Sequence, residues 1–175
     1  EWRGIMLENG AEAQGDALFV SDLRQWLADK GACLAGKGFE VYGADRLFKR
    51  KVRFDEAALH IEVSSGIDWF DLKGDASFGK EKLPLSSVMQ AINNNERFVK
   101  LSDGTEGIIP KKWIDSLSYA SAMMQYDEKE NKARAAKSQI ALVETLLGIA
   151  DKKSTDEEFG KFKAKFENFR EIKEA

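Results

Sequence analysis

The sequence predicts an α+β fold: a mostly antiparallel sheet of short strands, with packed helices and a helical C-terminal part. Three observations carry this expectation. Residues 57–64 alternate apolar and polar with a period of two, as a strand with one wet face does. Ser102-Asp103-Gly104-Thr105 separates two further apolar runs and supplies the positive-φ positions that tight hairpins need. Towards the C-terminus, Ile140, Val143, Leu146 and Leu147, and then Phe159, Phe162, Phe166 and Phe169, recur at helical spacing.

The bulk numbers bound the function. With 175 residues, 43% hydrophobic and 33% charged, the chain has enough apolar material for a core. A net charge of -3 excludes a uniformly basic nucleic-acid binder and leaves room for a local patch. The single cysteine, Cys33, excludes an intramolecular disulfide and fits a reducing, cytoplasmic compartment. No apolar run approaches the roughly 20 residues that span a bilayer, so no membrane partner is expected. The chain opens at Glu1 without a signal-peptide pattern and closes on NFREIKEA without a stop signal. We therefore expect a segment of a longer polypeptide.

In chain order, Trp2, Ile5 and Leu7 are expected on a short strand, followed by a turn around Gly10 to Gly15. Ser21 reads as the cap of a helix over residues 21–30, with Leu23, Trp26 and Leu27 on one face and Gly31 as its stop. Cys33 is expected as a packed small side chain. FEVYG, bounded by Gly38 and Gly43, reads as a strand. The one basic cluster follows: Arg46, Lys49, Arg50, Lys51 and Arg53, interleaved with Leu47, Phe48, Val52 and Phe54. Two roles fit it. One is the solvated side of a half-buried connection. The other is contact with phosphates, whose neutralisation releases counterions and makes binding salt-dependent.

In residues 57–64, Leu59, Ile61 and Val63 face one way and His60, Glu62 and Ser64 the other. His60, the only histidine, has no nearby Cys/His cluster or HExxH spacing and is expected as an exposed strand residue. After Ser65-Gly66, GIDWFDL forms a strand covered on both sides around Trp69. Asp68 and Asp71 lie three apart, so on a strand they point to opposite faces and do not make an acid/base pair. Asp68 is expected to order the turn, and Asp71 to be solvated or to pair with a basic neighbour.

Phe78-Gly79-Lys80 is a second turn. A serine-capped helix over 86–93, the hairpin strands Phe98 to Leu101 and Glu106 to Ile109, and a helix over 110–121 opened by Pro110 come next. Lys111 and Lys112 on its first turn are further candidate cation contacts. The charge run Tyr126 to Arg134 reads as a solvated helix or connector, and two helices close the chain. Ser154 with Glu157 reads as a capping box for the last. Its Phe stripe is read as core, with packing on a following domain as the alternative.

Together, GIDWFDL, LPLSSVMQAI and RFVKLSDGTEGIIPKKWIDSL resemble the bacterial Swi/Snf-type helicase-associated domain over roughly residues 40–150. The resemblance implies an accessory region that precedes an ATP-driven DNA translocase motor in the same polypeptide. It implies residues 1–121 as an α+β accessory domain and 122–175 as a helical extension leading towards a motor that this chain does not contain. The motor's G-x-x-x-x-G-K-[ST] pattern is not met: Gly36-Lys37 and Gly79-Lys80 are not followed by Ser or Thr, and no acidic helicase box occurs. The expectation is thus a non-catalytic accessory domain, with no catalytic, metal or cofactor residues of its own. Its partners would be the C-terminal ATPase motor and, through Arg46, Lys49, Arg50, Lys51, Arg53, Lys111 and Lys112, DNA. The alternative is a protein-protein interaction module without DNA affinity.

Overall fold

Three antiparallel pairings meet along the strand Trp69–Phe78 and organise the large sheet. In the computed structural model, residues 2–174 are described apart from Lys49 and Glu128, and apart from the side chains of Asp45 and of residues 170–174. The elements run α1 (Trp2–Glu8), β1 (Glu12–Gln14), β2 (Ala17–Phe19), α2 (Leu23–Gly36), α3 (Ala44–Leu47), β3 (Val52–Arg53), β4 (Ala57–Ser65), β5 (Trp69–Phe78) and β6 (Glu81–Pro84). They continue α4 (Leu85–Asn93), β7 (Phe98–Lys100), β8 (Glu106–Ile108), α5 (Lys111–Met123), β9 (Gln125–Asp127), β10 (Lys132–Ala136), α6 (Ile140–Ile149), β11 (Lys152–Thr155) and α7 (Glu157–Glu174). The class is α+β, as expected.

The large sheet has the order β11-β4-β5-β10-β9, with β6 on the same side of β5 as β10. β4 and β5 pair antiparallel along their length, from Ala57 opposite Phe78 to Ser65 opposite Phe70. The far edge of β5 is shared: β10 takes Trp69 to Leu72 and β6 takes Asp75 to Phe78. The period-two pattern then sorts the faces. Leu59, Ile61, Val63, Phe70, Leu72, Ala76, Phe78, Ala133 and Ala135 are buried on one side. His60, Glu62, Lys73, Asp75 and Arg134 lie on the other. Over the apolar face sit α4 through Val88, Met89 and Ile92, α5 through Trp113 and Leu117, and α6 through Ile140, Val143 and Leu146. Each fully buried side chain of this size contributes roughly 1.5–3 kcal/mol by leaving water. Gly74 allows the β4–β5 approach: its φ is 152°, and an added Cβ would lie 2.0 Å from the His60 carbonyl oxygen.

Several expected elements take another form. Trp2, Ile5 and Leu7 lie on helix α1, which ends where Gly10 adopts φ 88°. Asn9 just beyond it accepts the Trp26 Nε1–H at 2.6 Å, which ties α1 to α2. The cap of α2 is Asp22, whose Oδ1 accepts the Gln25 N–H at 3.0 Å, rather than Ser21. Gly31 does not stop this helix; the helix runs on to Gly36 because the missing Cβ makes room for the Phe54 ring, whose Cδ1 would lie 2.3 Å from it. Cys33 is exposed instead of packed. Residues 39–43 pair with no strand; Val41 is fixed by side-chain packing instead.

The largest departure is C-terminal. The charge run expected as a helix or connector forms the β9–β10 hairpin, turning at Asn131 with φ 48°. Ala133 and Ala135 present small apolar groups to the core, while Lys132 and Arg134 project outward, so the alternation is real but hidden among charges. β11 joins β4 in parallel, Lys152 opposite His60. β3 and β8 are the other parallel pair. Residues 122–175, expected as helical, thus supply three strands as well as α6 and α7. The cap of α7 is Asp156, whose Oδ1 accepts the Phe159 N–H at 2.7 Å, while Ser154 belongs to β11. Phe159 is buried, with Phe162 and Phe166 packed on the core. Phe70 meets Phe159 and Phe162 edge-on, at 5.1 and 5.6 Å between ring centroids.

Candidate nucleic-acid interface

A second, smaller core underlies the basic cluster. Leu27 of α2, Phe48 and Val52 form its buried centre, with Trp26, Val41, Ala44, Phe54, Phe98 and Ile108 packed around them. Its floor is the three-stranded sheet β3-β8-β7. Gly107 on β8 lets Phe78 of the large sheet approach, since a Cβ there would meet Phe78 Cδ1 at 2.7 Å. Each inward residue fixes the direction of its neighbours. Ala44 and Phe48 turn inward and leave Arg46 and Leu47 exposed; Phe48 and Val52 do the same for Arg50 and Lys51.

The candidate cations separate into groups. Arg46 and Lys51 are exposed and make no ion pair among the described residues. Arg50 reaches Glu106 at 3.8 Å with its own side chain half exposed, a loose contact. Arg53 is different. Its guanidinium donates to Asp103 Oδ2 at 2.8 Å and to Thr105 Oγ1 at 3.2 Å, and pairs with Asp55 at 3.3 Å. These bonds clamp the 102–105 turn to β3. The Thr105 hydroxyl, then Arg53, then the Thr105 N–H pull the Asp103 carboxyl down to about 2. Asp103 is therefore a fixed anion, and Arg53 is already neutralised. Lys49 lies outside the described residues.

Lys111 and Lys112 belong elsewhere. They open α5 and line a cleft of about 560 Å³ against α2, whose wall also carries Asp29, Asp55 and Glu56. Among the described residues of 46–53, none lines it. Burial works against ionised Asp29, but the hydrogen bond and charge of Arg97, 2.8 Å away, outweigh it and hold the carboxyl below its usual range. The cleft is mixed in charge and does not extend the basic surface.

Arg24 joins the surface without any signal in the linear sequence. Its guanidinium lies 4.9 Å from the Phe98 ring centroid and 5.5 Å from that of Phe48. It is exposed and makes no ion pair among the described residues. Arg24, Arg97, Gln25, Asn95, Asp22 and Phe98 line a notch of about 300 Å³. Folding brings residue 24 onto the ring of Phe48, in the middle of the basic cluster's sequence, a contact that spacing cannot reveal.

The polar face of the large sheet is internally matched. Arg134 Nε donates to Asp71 Oδ1 at 2.8 Å and stacks on Trp69 at 4.5 Å, while Lys132 stands 3.7 Å from Asp71. Burial disfavours the Asp71 anion, yet Arg134 and then Lys132 lower its pKa overall. The turn expected to be ordered by Asp68 is closed by the Gly66 N–H, which donates to the Trp69 carbonyl at 2.8 Å. The Asp68 carbonyl accepts the Lys137 N–H at 3.0 Å and ties the turn to the end of β10. His60 sits between Glu62 at 3.4 Å and Asp75 at 3.5 Å. Among the described residues no group of three or more His, Cys, Asp or Glu side chains could hold a metal ion. No helix among them is long and apolar enough to cross a membrane.

No curated protein and no solved structure gives a significant match to the chain. A family model described as bacterial SNF2 helicase associated matches residues 34–175, a span that holds both the large sheet and the basic cluster. The chain belongs to the bacterial SNF2 helicase-associated family.

Proposed function

We propose that this domain is a non-catalytic accessory part of a cytoplasmic SNF2-family DNA translocase, positioning or regulating an ATPase motor in the same polypeptide and touching DNA itself. It would need no cofactor of its own. The observation that carries the DNA contact is the outward ring of Arg46, Arg50 and Lys51 around the small core, with Arg24 beside it. Arg53 is left out of the contact, because Asp103 and Asp55 already hold it. Lys111 and Lys112 are left out because their cleft is mixed in charge.

Fluorescence anisotropy with single-stranded and duplex DNA at about 50 mM salt tests this reading. Three phosphate contacts predict a log–log salt slope of about -2.7 on duplex and about -2 on single-stranded DNA. The double charge reversal Arg50→Glu with Lys51→Glu should abolish binding, while Glu106→Gln, which removes the Arg50 partner and adds no negative charge, should not weaken it. A second reading, an interaction module without DNA affinity, draws on exposed apolar side chains such as Trp2 at 60% and Phe19 at 51%. Absence of binding to either DNA form under these conditions would decide for it.

A further inference from the structure

Beside the cations stands one aromatic ring that the small core does not use. Val41 packs into that core, which turns Tyr42 outward, and Tyr42 is 86% exposed. Gly43, at φ 76°, then starts α3 and leads directly to Arg46. The Tyr42 hydroxyl donates to Glu40 Oε2. That bond holds the ring by its polar end and leaves both faces open to solvent. The Arg24 guanidinium is already seated on the Phe48 and Phe98 rings, so little further ordering is needed for it to meet an anion.

Resting on the DNA reading above, we infer that this surface takes single-stranded DNA, with the Tyr42 ring stacking on a base while Arg24, Arg46, Arg50 and Lys51 hold the phosphates. Two physical points favour a single strand over a duplex. Bases in a duplex are stacked on each other and offer no free face to a side chain, whereas each base of a single strand has two. The helix that carries Arg46 has four residues, too short to fill a major groove and read base edges. The Glu40 carboxylate next to the hydroxyl repels phosphate, so stacking is what remains for Tyr42 to supply.

The test uses the whole chain and anisotropy at about 50 mM salt. The probes are a labelled thymidine oligomer of about 16 nucleotides and a duplex of equal length. The single strand should bind more tightly. Tyr42→Ala should weaken single-strand binding about tenfold and duplex binding less than about twofold, whereas Tyr42→Phe should keep it. Arg24→Ala should weaken both forms. Equal affinity for the two forms, or a single-strand affinity unmoved by Tyr42→Ala, overturns the stacking inference and leaves the DNA reading standing. No binding to either probe overturns both.

Discussion

The Arg53 guanidinium commits its hydrogen bonds to Asp103, Thr105 and Asp55, and that commitment removes it from any contact with phosphate. The consequence for stability depends on pH. Asp103 is held down to about 2 against its ordinary 3.8, so the unfolded chain takes up the proton before the folded one does. The stabilisation is complete above the ordinary value and is lost as pH falls through the folded one. Urea midpoints recorded from neutral pH down to about 2 should therefore show a loss in this window that Asp103→Asn lacks; parallel profiles would show that solvent screening cancels the clamp. The charge of this residue was legible in the sequence. Its partners at 103 and 105 were not, because the 50 residues from Arg53 to Asp103 are closed only by the fold.

Elements were legible where pattern and burial coincide. The β4–β5 hairpin follows directly from Leu59, Ile61, Val63, Phe70 and Leu72, and α5 opens at Pro110 as expected. By contrast, α4 starts at Leu85 behind Pro84 with no serine side-chain cap. The β9–β10 hairpin was obscured because its inward residues are alanines, which carry little weight beside Lys132 and Arg134. Asp156 shows how a cap and a tertiary tie can reside in one side chain. Besides capping α7, its Oδ2 accepts the Ser65 N–H at 2.5 Å and its Oδ1 the Ser65 hydroxyl at 2.9 Å, joining the helix to the end of β4. Burial opposes the charge, but the Ser65 and Phe159 N–H groups lower the carboxyl pKa. Asp156→Ala should cost about 1–2 kcal/mol in urea unfolding, as lost N-caps do. Amide exchange at Ser65 and Phe159 should accelerate with it. If exchange rises at Phe159 alone, Asp156 is only a cap.

At the scale of the whole molecule, the resemblance over roughly residues 40–150 pointed to the right family, but the reading of the C-terminal part as a helical extension missed its strands. β10 lies against β5, β11 against β4, and Val143, Leu146 and Leu147 of α6 are buried over the same face. A chain ending at residue 121 would keep α4 and most of α5 on that face but lose α6 and the two flanking strands, leaving part of it uncovered. It should therefore lack near-UV circular dichroism and bind an apolar dye, whereas residues 34–175 alone should retain both large-sheet pairings. A cooperative melt of the shorter chain would show that the sheet stands without its last strands. Pairings between distant segments leave no local trace, which is why the helices here were easier to read than the strands that join them.

The parallel β4–β11 pairing also has a consequence in time. Leu59 and Asp151, hydrogen-bonded in the finished sheet, are 92 residues apart, so closing this edge is an entropically late event. At a synthesis rate of roughly 5–20 residues per second, the ribosome delivers β4 and β5 several seconds before α6. During that interval only α4 and α5 are available to cover the hairpin's apolar side, and the part that α6 covers stays open. A protein built this way completes its core only when its C-terminal half arrives.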